Sequence, residues 1–129
     1  MIFSLHIIGA PYSKQASQSA YYFAKAALSK GHAIKRIFFS SDGVHSSSSF
    51  TIPPQDEINI SANWAKLAVD HEIDLVICIA AAQRRGLLNK TEASRYGIPH
   101  HNVDSPFTLS GLGQLVEAAV ESDRLITFG

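Results

Sequence analysis

Ile73-Asp74-Leu75-Val76-Ile77-Cys78-Ile79-Ala80 is the stretch whose reading decides the fold. Apart from Asp74 it is apolar at odd and even positions alike, and it is rich in β-branched side chains. That pattern belongs to a strand buried on both faces, the interior strand of a parallel sheet. The longest apolar run, Leu75–Ala82, is far shorter than the roughly 20 residues needed to span a bilayer. A parallel strand requires crossover connections, so helices are expected on either side of it in the chain.

The flanking sequence supplies them. Ile2–Ile8 is short, apolar and β-branched and meets Gly9-Ala10-Pro11, which reads as a strand followed by a turn. Gln15–Ser29 carries Ala16, Ala20, Phe23, Ala24, Ala27 and Leu28 at helical spacing, and Gly31 is a natural C-terminal stop. Ala33–Phe39 reads as a second strand. Ser40–Gln55 is a long connection, and its Ser46-Ser47-Ser48-Ser49 run reads as a flexible loop tip. Ser61–His71 is a second helix with Trp64, Leu67 and Ala68 on one stripe.

Beyond the deciding strand, Ala80–Leu88 can begin a helix at once, and Thr91–Tyr96 is a short helix with Thr91 as candidate N-cap and Gly97 as stop. Ile98–Val103 reads as a short strand weakened by Pro99. Ser110–Ser122 is a helix with Ser110 as N-cap and Leu112, Leu115, Val116 and Ala119 facing inward, and Arg124–Phe128 is the last strand. The alternation defines an α/β fold, expected as a single doubly wound domain over residues 1–129 with a mostly parallel sheet of about five strands.

The chain has 129 residues, 46% hydrophobic and 17% charged, with eleven Lys+Arg against eleven Asp+Glu and a formal net charge of +0. Ordinary apolar content excludes wholesale disorder. Charge balance argues against a general nucleic-acid or anionic-membrane binder, whose affinity depends on excess basic charge. It also gives little protection against self-association. The opening residues lack a basic region and a small-residue cleavage site, so a cytoplasmic location is the expectation.

A single cysteine, Cys78, excludes an internal disulfide and a cysteine-based zinc cage. Working groups in open α/β sheets gather at the carboxyl ends of strands, and Cys78 sits near that end of the strongest one. A helix opening immediately after it would favour the thiolate, the form that attacks sulfur, through its unpaired N–H groups. Arg84 and Arg85 are close enough in sequence to add positive charge, although spacing does not show where they point; an ordinary solvated helix end fits the pair as well. A lone cysteine in an apolar strand is also what a small buried hydrophobe looks like.

Cys78-Ile79-Ala80-Ala81-Ala82-Gln83-Arg84-Arg85-Gly86 resembles the cysteine segment of the sulfur-relay subunits in the DsrE/TusD sulfurtransferase family. Phe107-Thr108-Leu109-Ser110-Gly111-Leu112-Gly113, continuing to Glu117-Ala118, is similar to their C-terminal signature. Gly9-Ala10-Pro11-Tyr12, Gln15-Ala16-Ser17, Phe23-Ala24, Gly31-His32, Phe38-Phe39, Gly43-Val44 and Ser122-Asp123-Arg124 extend the likeness along nearly the whole chain. The resemblance implies a DsrE-like fold and a persulfide carried on Cys78 without any cofactor. It further implies assembly with TusB- and TusC-like paralogues as a dimer of heterotrimers, a TusA-like donor and a TusE-like acceptor. The end product it implies is 2-thiouridine at the tRNA wobble position. The neutral composition agrees with handing sulfur between proteins rather than gripping tRNA. The Ser46–Ser49 run and the His100-His101 pair have no match in that pattern.

Other chemistries are poorly supported. Gly9-Ala10-Pro11-Tyr12-Ser13-Lys14 has neither Walker nor G-x-G-x-x-G spacing, so it reads as a plain strand-to-helix turn. His100 and His101 are adjacent and would point to opposite faces of a strand, which disfavours a shared metal. His6, inside the first strand, reads as a satisfied core or sheet-face residue. No G-x-S-x-G elbow is present for a serine hydrolase. Two function classes remain: a sulfurtransferase using Cys78 as a persulfide carrier, and a non-catalytic assembly subunit in which Cys78 is inert packing.

Overall fold

The computed structural model describes residues 1–129 and alternates strand and helix along the chain. In order, the elements are β1 (Ile2–Ile7), α1 (Ala16–Ser29), β2 (Ala33–Phe39), a 3-10 segment (Ser41–Ser47), α2 (Ile60–His71), β3 (Asp74–Cys78), α3 (Ile79–Arg84), α4 (Lys90–Arg95), β4 (Phe107–Ser110), α5 (Gly113–Glu121) and β5 (Arg124–Phe128). The five strands form one sheet in the order β4-β3-β2-β1-β5, and every pairing is parallel. The chain winds outward from β1 to β4 and then returns to place β5 on the other side of β1. This is the doubly wound α/β architecture expected from the alternation, with the deciding strand β3 inside the sheet.

Pleating sorts the side chains into two layers. Phe3, Leu5 and Ile7 of β1 and Ile37 and Phe39 of β2 face α1 and α2. There Phe3 meets Phe23 edge-on at 5.3 Å and Phe39 meets Trp64 at 5.8 Å. Ala16, Ala20, Ala24 and Ala27 are the buried stripe of α1, small enough to bring the helix close to the sheet. Gly9 serves the same approach, since a Cβ there would lie 2.7 Å from the Cβ of Ala16. Under this layer Trp64 Nε1 donates to Ser17 Oγ at 3.0 Å, and Ser17 Oγ shares a hydrogen bond with Ser46 Oγ at 3.1 Å. All three side chains are buried.

The opposite face carries the even-numbered residues Ser4, His6, Arg36, Phe38, Asp74, Val76 and Cys78. Only α5 is tied across it by Arg36, whose Nη1 donates to the carbonyl of Gln114 at 2.9 Å and to Glu117 at 3.2 Å. The Nη2 of Arg36 reaches Asp74 at 3.0 Å. Arg36 is buried while both carboxylates are largely solvated, so the guanidinium acts as a clamp from the sheet to the helix.

Several local expectations are overturned. The strand placed at Ile98–Val103 is irregular, and β4 lies at Phe107–Ser110 instead. The N–H groups of Asn102 and Val103 both donate to the carbonyl of Leu88, and Asn102 Oδ1 accepts from Leu88 N, so this backbone is committed away from the sheet. Ser110 therefore ends β4 rather than capping the last helix, which opens at Gly113 with Leu112 in the N-cap position and no side-chain cap. The inward face predicted for that helix is also wrong: Ala118 is its buried residue, Leu115 packs partially, and Leu112, Val116 and Ala119 are exposed.

At α4 the cap is Asn89, whose Oδ1 accepts from Glu92 N at 2.9 Å, not Thr91. The helix after the cysteine spans Ile79–Arg84 and stops well before Leu88. The serine run is no loose tip. It forms the end of the 3-10 segment and its exit, with Ser46, Ser47 and Ser48 buried and Ser47 Oγ donating to the carbonyl of Val44.

Candidate functional site

Cys78 is the last residue of β3 and the N-cap residue of α3, with no turn between strand and helix. Its backbone is extended (φ −59°, ψ 114°), and in register it stands beside Ser110, the last residue of β4. The strand-to-helix switch follows from composition. β-Branched residues end at Ile79, and Ala80-Ala81-Ala82 has the highest helix preference in the chain's apolar segments. A helix start leaves its first N–H groups without intrahelical acceptors, and Cys78 occupies the position that faces them. Its thiol makes no capping hydrogen bond. Cys78 is 9% exposed, so only the edge of the residue reaches solvent.

The two arginines part company. Arg85 Nε donates to Asp42 Oδ1 at 2.9 Å, and its Nη1 donates to the carbonyl of Ala81 at 3.0 Å. It ties the end of α3 to the 3-10 segment. Arg84 lines a groove of about 510 Å³ with Gln83, Gly86, Leu88, Tyr96 and Ile98. Tyr96 and Ile98 are both exposed in that groove.

The 3-10 segment that borders the site sits tightly on the carboxyl end of β1. A Cβ on Gly43 would overlap the carbonyl oxygen of Ile7, so glycine is required there. The loop after β1 is fixed by Tyr12, at φ 69°, whose hydroxyl donates to the carbonyl of Ile58 and accepts from Ile60 N. It fastens the start of α2. His101 Nε2 lies 3.1 Å from Asp104 Oδ1, outside any strand, and no group of three or more His, Cys, Asp or Glu side chains converges on a metal-sized site.

His6 is satisfied on the sheet face as expected, and its partner is Ser40: His6 Nε2 and Ser40 Oγ are 2.7 Å apart. Burial lowers the His6 pKa below its ordinary value. Spacing alone does not single out Ser40. The signal that does is strand parity, because Ser40 follows Phe38 by two as Cys78 follows Val76 by two.

A five-stranded parallel sheet with a lone cysteine at the switch from an interior strand to a helix defines a class of small α/β proteins, and comparison assigns the family. The chain belongs to the DsrE/DsrF-like family, whose model matches residues 1–128. It is 56% identical over 129 residues to the DsrE protein of Allochromatium vinosum, covering 100% of this chain and 99% of that one. It is 49% identical to the sulfurtransferase TusD homolog of Pseudomonas aeruginosa, covering 100% and 98%. In fold it is similar to the ychN protein of E. coli, with a TM-score of 0.76, 18% identity and coverage of 99% and 100%. No helix is long and apolar enough to cross a membrane.

Proposed function

We propose that this sulfurtransferase carries sulfane sulfur as a persulfide on Cys78 and relays it from a TusA-like donor to a TusE-like acceptor. The position of the chain's one thiol at the β3-to-α3 switch carries the proposal. The Cys78 thiolate attacks the outer sulfur of the donor's persulfide; a new S–S bond forms, the donor's S–S bond breaks, and the donor leaves as a thiolate. Nothing is oxidised or reduced overall, so no cofactor is needed. With no second cysteine, no internal thiol can resolve the persulfide into a disulfide. The small exposed edge of Cys78 would shield bound sulfur from bulk thiols and require the donor to present its persulfide at the rim.

The same reading places the chain in the cytoplasm, in a pathway ending in 2-thiouridine at the tRNA wobble position, with TusB- and TusC-like paralogues in a dimer of heterotrimers. Support for assembly comes from α5, where Leu112, Val116 and Val120 form an exposed apolar stripe at 61%, 62% and 78% exposure. Stripes of this kind on an otherwise polar surface mark interaction sites.

Burial of Cys78 favours a second reading, an assembly subunit with an inert thiol. Mass spectrometry of the complex purified from its own cells without reductant separates the two. A sulfur adduct on Cys78 supports the carrier; an unmodified thiol that also resists fast labelling by a thiol reagent supports the assembly subunit.

A further inference from the structure

Face and register bring three side chains into a row at the carboxyl end of the sheet. His6 pairs in register with Phe38, and Phe38 with Val76. Two residues further along, Ser40 and Cys78 follow on the same face. The β2–β3 register runs to Phe39 and Ile77, the residues just before Ser40 and Cys78, and Ser40 is still extended (φ −138°, ψ 174°) with its N–H turned to β1, donating to the carbonyl of Ile7 at 3.0 Å. Neighbouring strands lie about 5 Å apart, so continuing the register by one residue puts the backbones of Ser40 and Cys78 at about that separation. Ser40 holds the N-cap position of the 3-10 segment, yet its hydroxyl makes no capping bond; it bonds His6 instead. Both residues stand where side chains ordinarily cap, and neither caps.

We propose that Ser40 and His6 together accept the proton of the Cys78 thiol, with His6 acting through Ser40 as a positioning residue. The inference rests on the carrier reading of Cys78. As the S–H bond breaks, its proton passes to Ser40 Oγ while the Ser40 hydroxyl proton passes to His6 Nε2. The products are a thiolate and an imidazolium. The imidazolium returns its proton to the departing donor thiolate along the same row. The relay requires a Cys78 rotamer that turns Sγ toward Ser40 Oγ while Ser40 keeps its bond to His6. A neutral ring is needed at the start, and half-burial keeps His6 in that form near neutral pH.

Other titratable groups lie on the elements around the row: Arg36 with Asp74 and Glu117, Lys35 with Glu121, Asp42 with Arg85, His45 in the 3-10 segment, Arg84 on α3, and Asp123 just before β5 and Arg124 at its start. None is altered by the variants below, so a change in pH profile belongs to the row itself.

The test is alkylation of Cys78 by iodoacetamide in the full chain between pH 5 and 10, with sulfur loading of the wild type measured alongside. In His6→Gln and in Ser40→Ala the profile should move to higher pH by equal amounts, with the rate at pH 7 falling about tenfold or more. The double variant should add nothing, and Ser40→Thr, which keeps a hydroxyl, should restore the wild-type profile. His6→Gln changes a partly buried site and keeps a hydrogen-bonding group, so a folded variant is at hand. Unmoved profiles in a wild type that loads sulfur would overturn the proton row and leave the carrier standing. A wild type that loads no sulfur would overturn both.

Discussion

Arg85 Nε and Asp42 Oδ1 are 2.9 Å apart, which joins the end of the cysteine's helix to the 3-10 segment that roofs the carboxyl end of β1. The guanidinium thereby fixes the border of the site, with two of its three nitrogens bonded within the chain. Both partners keep contact with solvent, so the pair is worth at most about 1 kcal/mol. Arg85→Gln and Asp42→Asn should each lower stability by about that amount or less in urea, and the double variant should lose little more than either. Additive losses would show that the two side chains act separately.

The 3-10 segment itself depends on Gly43. Any side chain there overlaps the carbonyl of Ile7, and a backbone shift is the only relief. Gly43→Ala should cost about 2 kcal/mol or more in equilibrium unfolding, against about 0.5 kcal/mol or less for Gly111→Ala, where a Cβ meets open space.

Beneath it, Ser17 receives the indole N–H of Trp64 and bonds Ser46, and all three are buried. Ser17→Ala leaves two polar groups without a partner and should destabilise the chain by about 1–3 kcal/mol. Adding Ser46→Ala to Ser17→Ala should recover part of the loss, since the orphaned Ser46 hydroxyl is then gone; urea midpoints decide it.

His6 gives a signed pH dependence. Its pKa is lowered by burial in the folded chain, so the unfolded chain binds the proton more readily. The contribution of His6 is fully present above the ordinary histidine value of about 6.5 and is lost as pH falls through that value toward the folded one. The stability difference between wild type and His6→Gln should therefore shift against wild type on acidification from pH 7.5 to pH 5. A difference independent of pH would contradict the assignment.

The apolar stripe on α5 predicts assembly through that helix. Val116→Asp should leave the monomer's far-UV circular dichroism unchanged and abolish its sedimentation with TusB- and TusC-like partners. Retention of the full complex by the variant would rule the stripe out as an interface.

The legible part of the fold was the part governed by local pattern. The apolar run Ile73–Ala80 contains the interior strand, Asp74–Cys78, although its last two residues already belong to α3, and Gly31, at φ +87°, follows α1 where a left-handed residue is needed. The C-terminal third was less legible because two signals compete there. Leu112, Leu115, Val116 and Ala119 have the spacing of a core-facing helix, but spacing states that a face is apolar and not which surface covers it. The serine run misled in the opposite direction: composition reads Ser46–Ser49 as solvated, while Ser46 bonds Ser17, Ser47 bonds the carbonyl of Val44 and Ser48 accepts from Phe50 N, which leaves only Ser49 exposed. Cys78 was visible as a position at a strand's end. The residues proposed to act with it, His6 on β1 and Ser40 just past β2, are distant in sequence and are suggested only once register is known.

The carrier claim is tested most directly by incubating the chain with a persulfidated donor protein and weighing it intact. The wild type should gain the mass of one sulfur atom on Cys78 and lose it again to a thiol acceptor. Cys78→Ser, nearly isosteric, should fold and assemble as the wild type does and gain nothing. Equal gain by Cys78→Ser, or no gain by the wild type from any donor, would contradict the account.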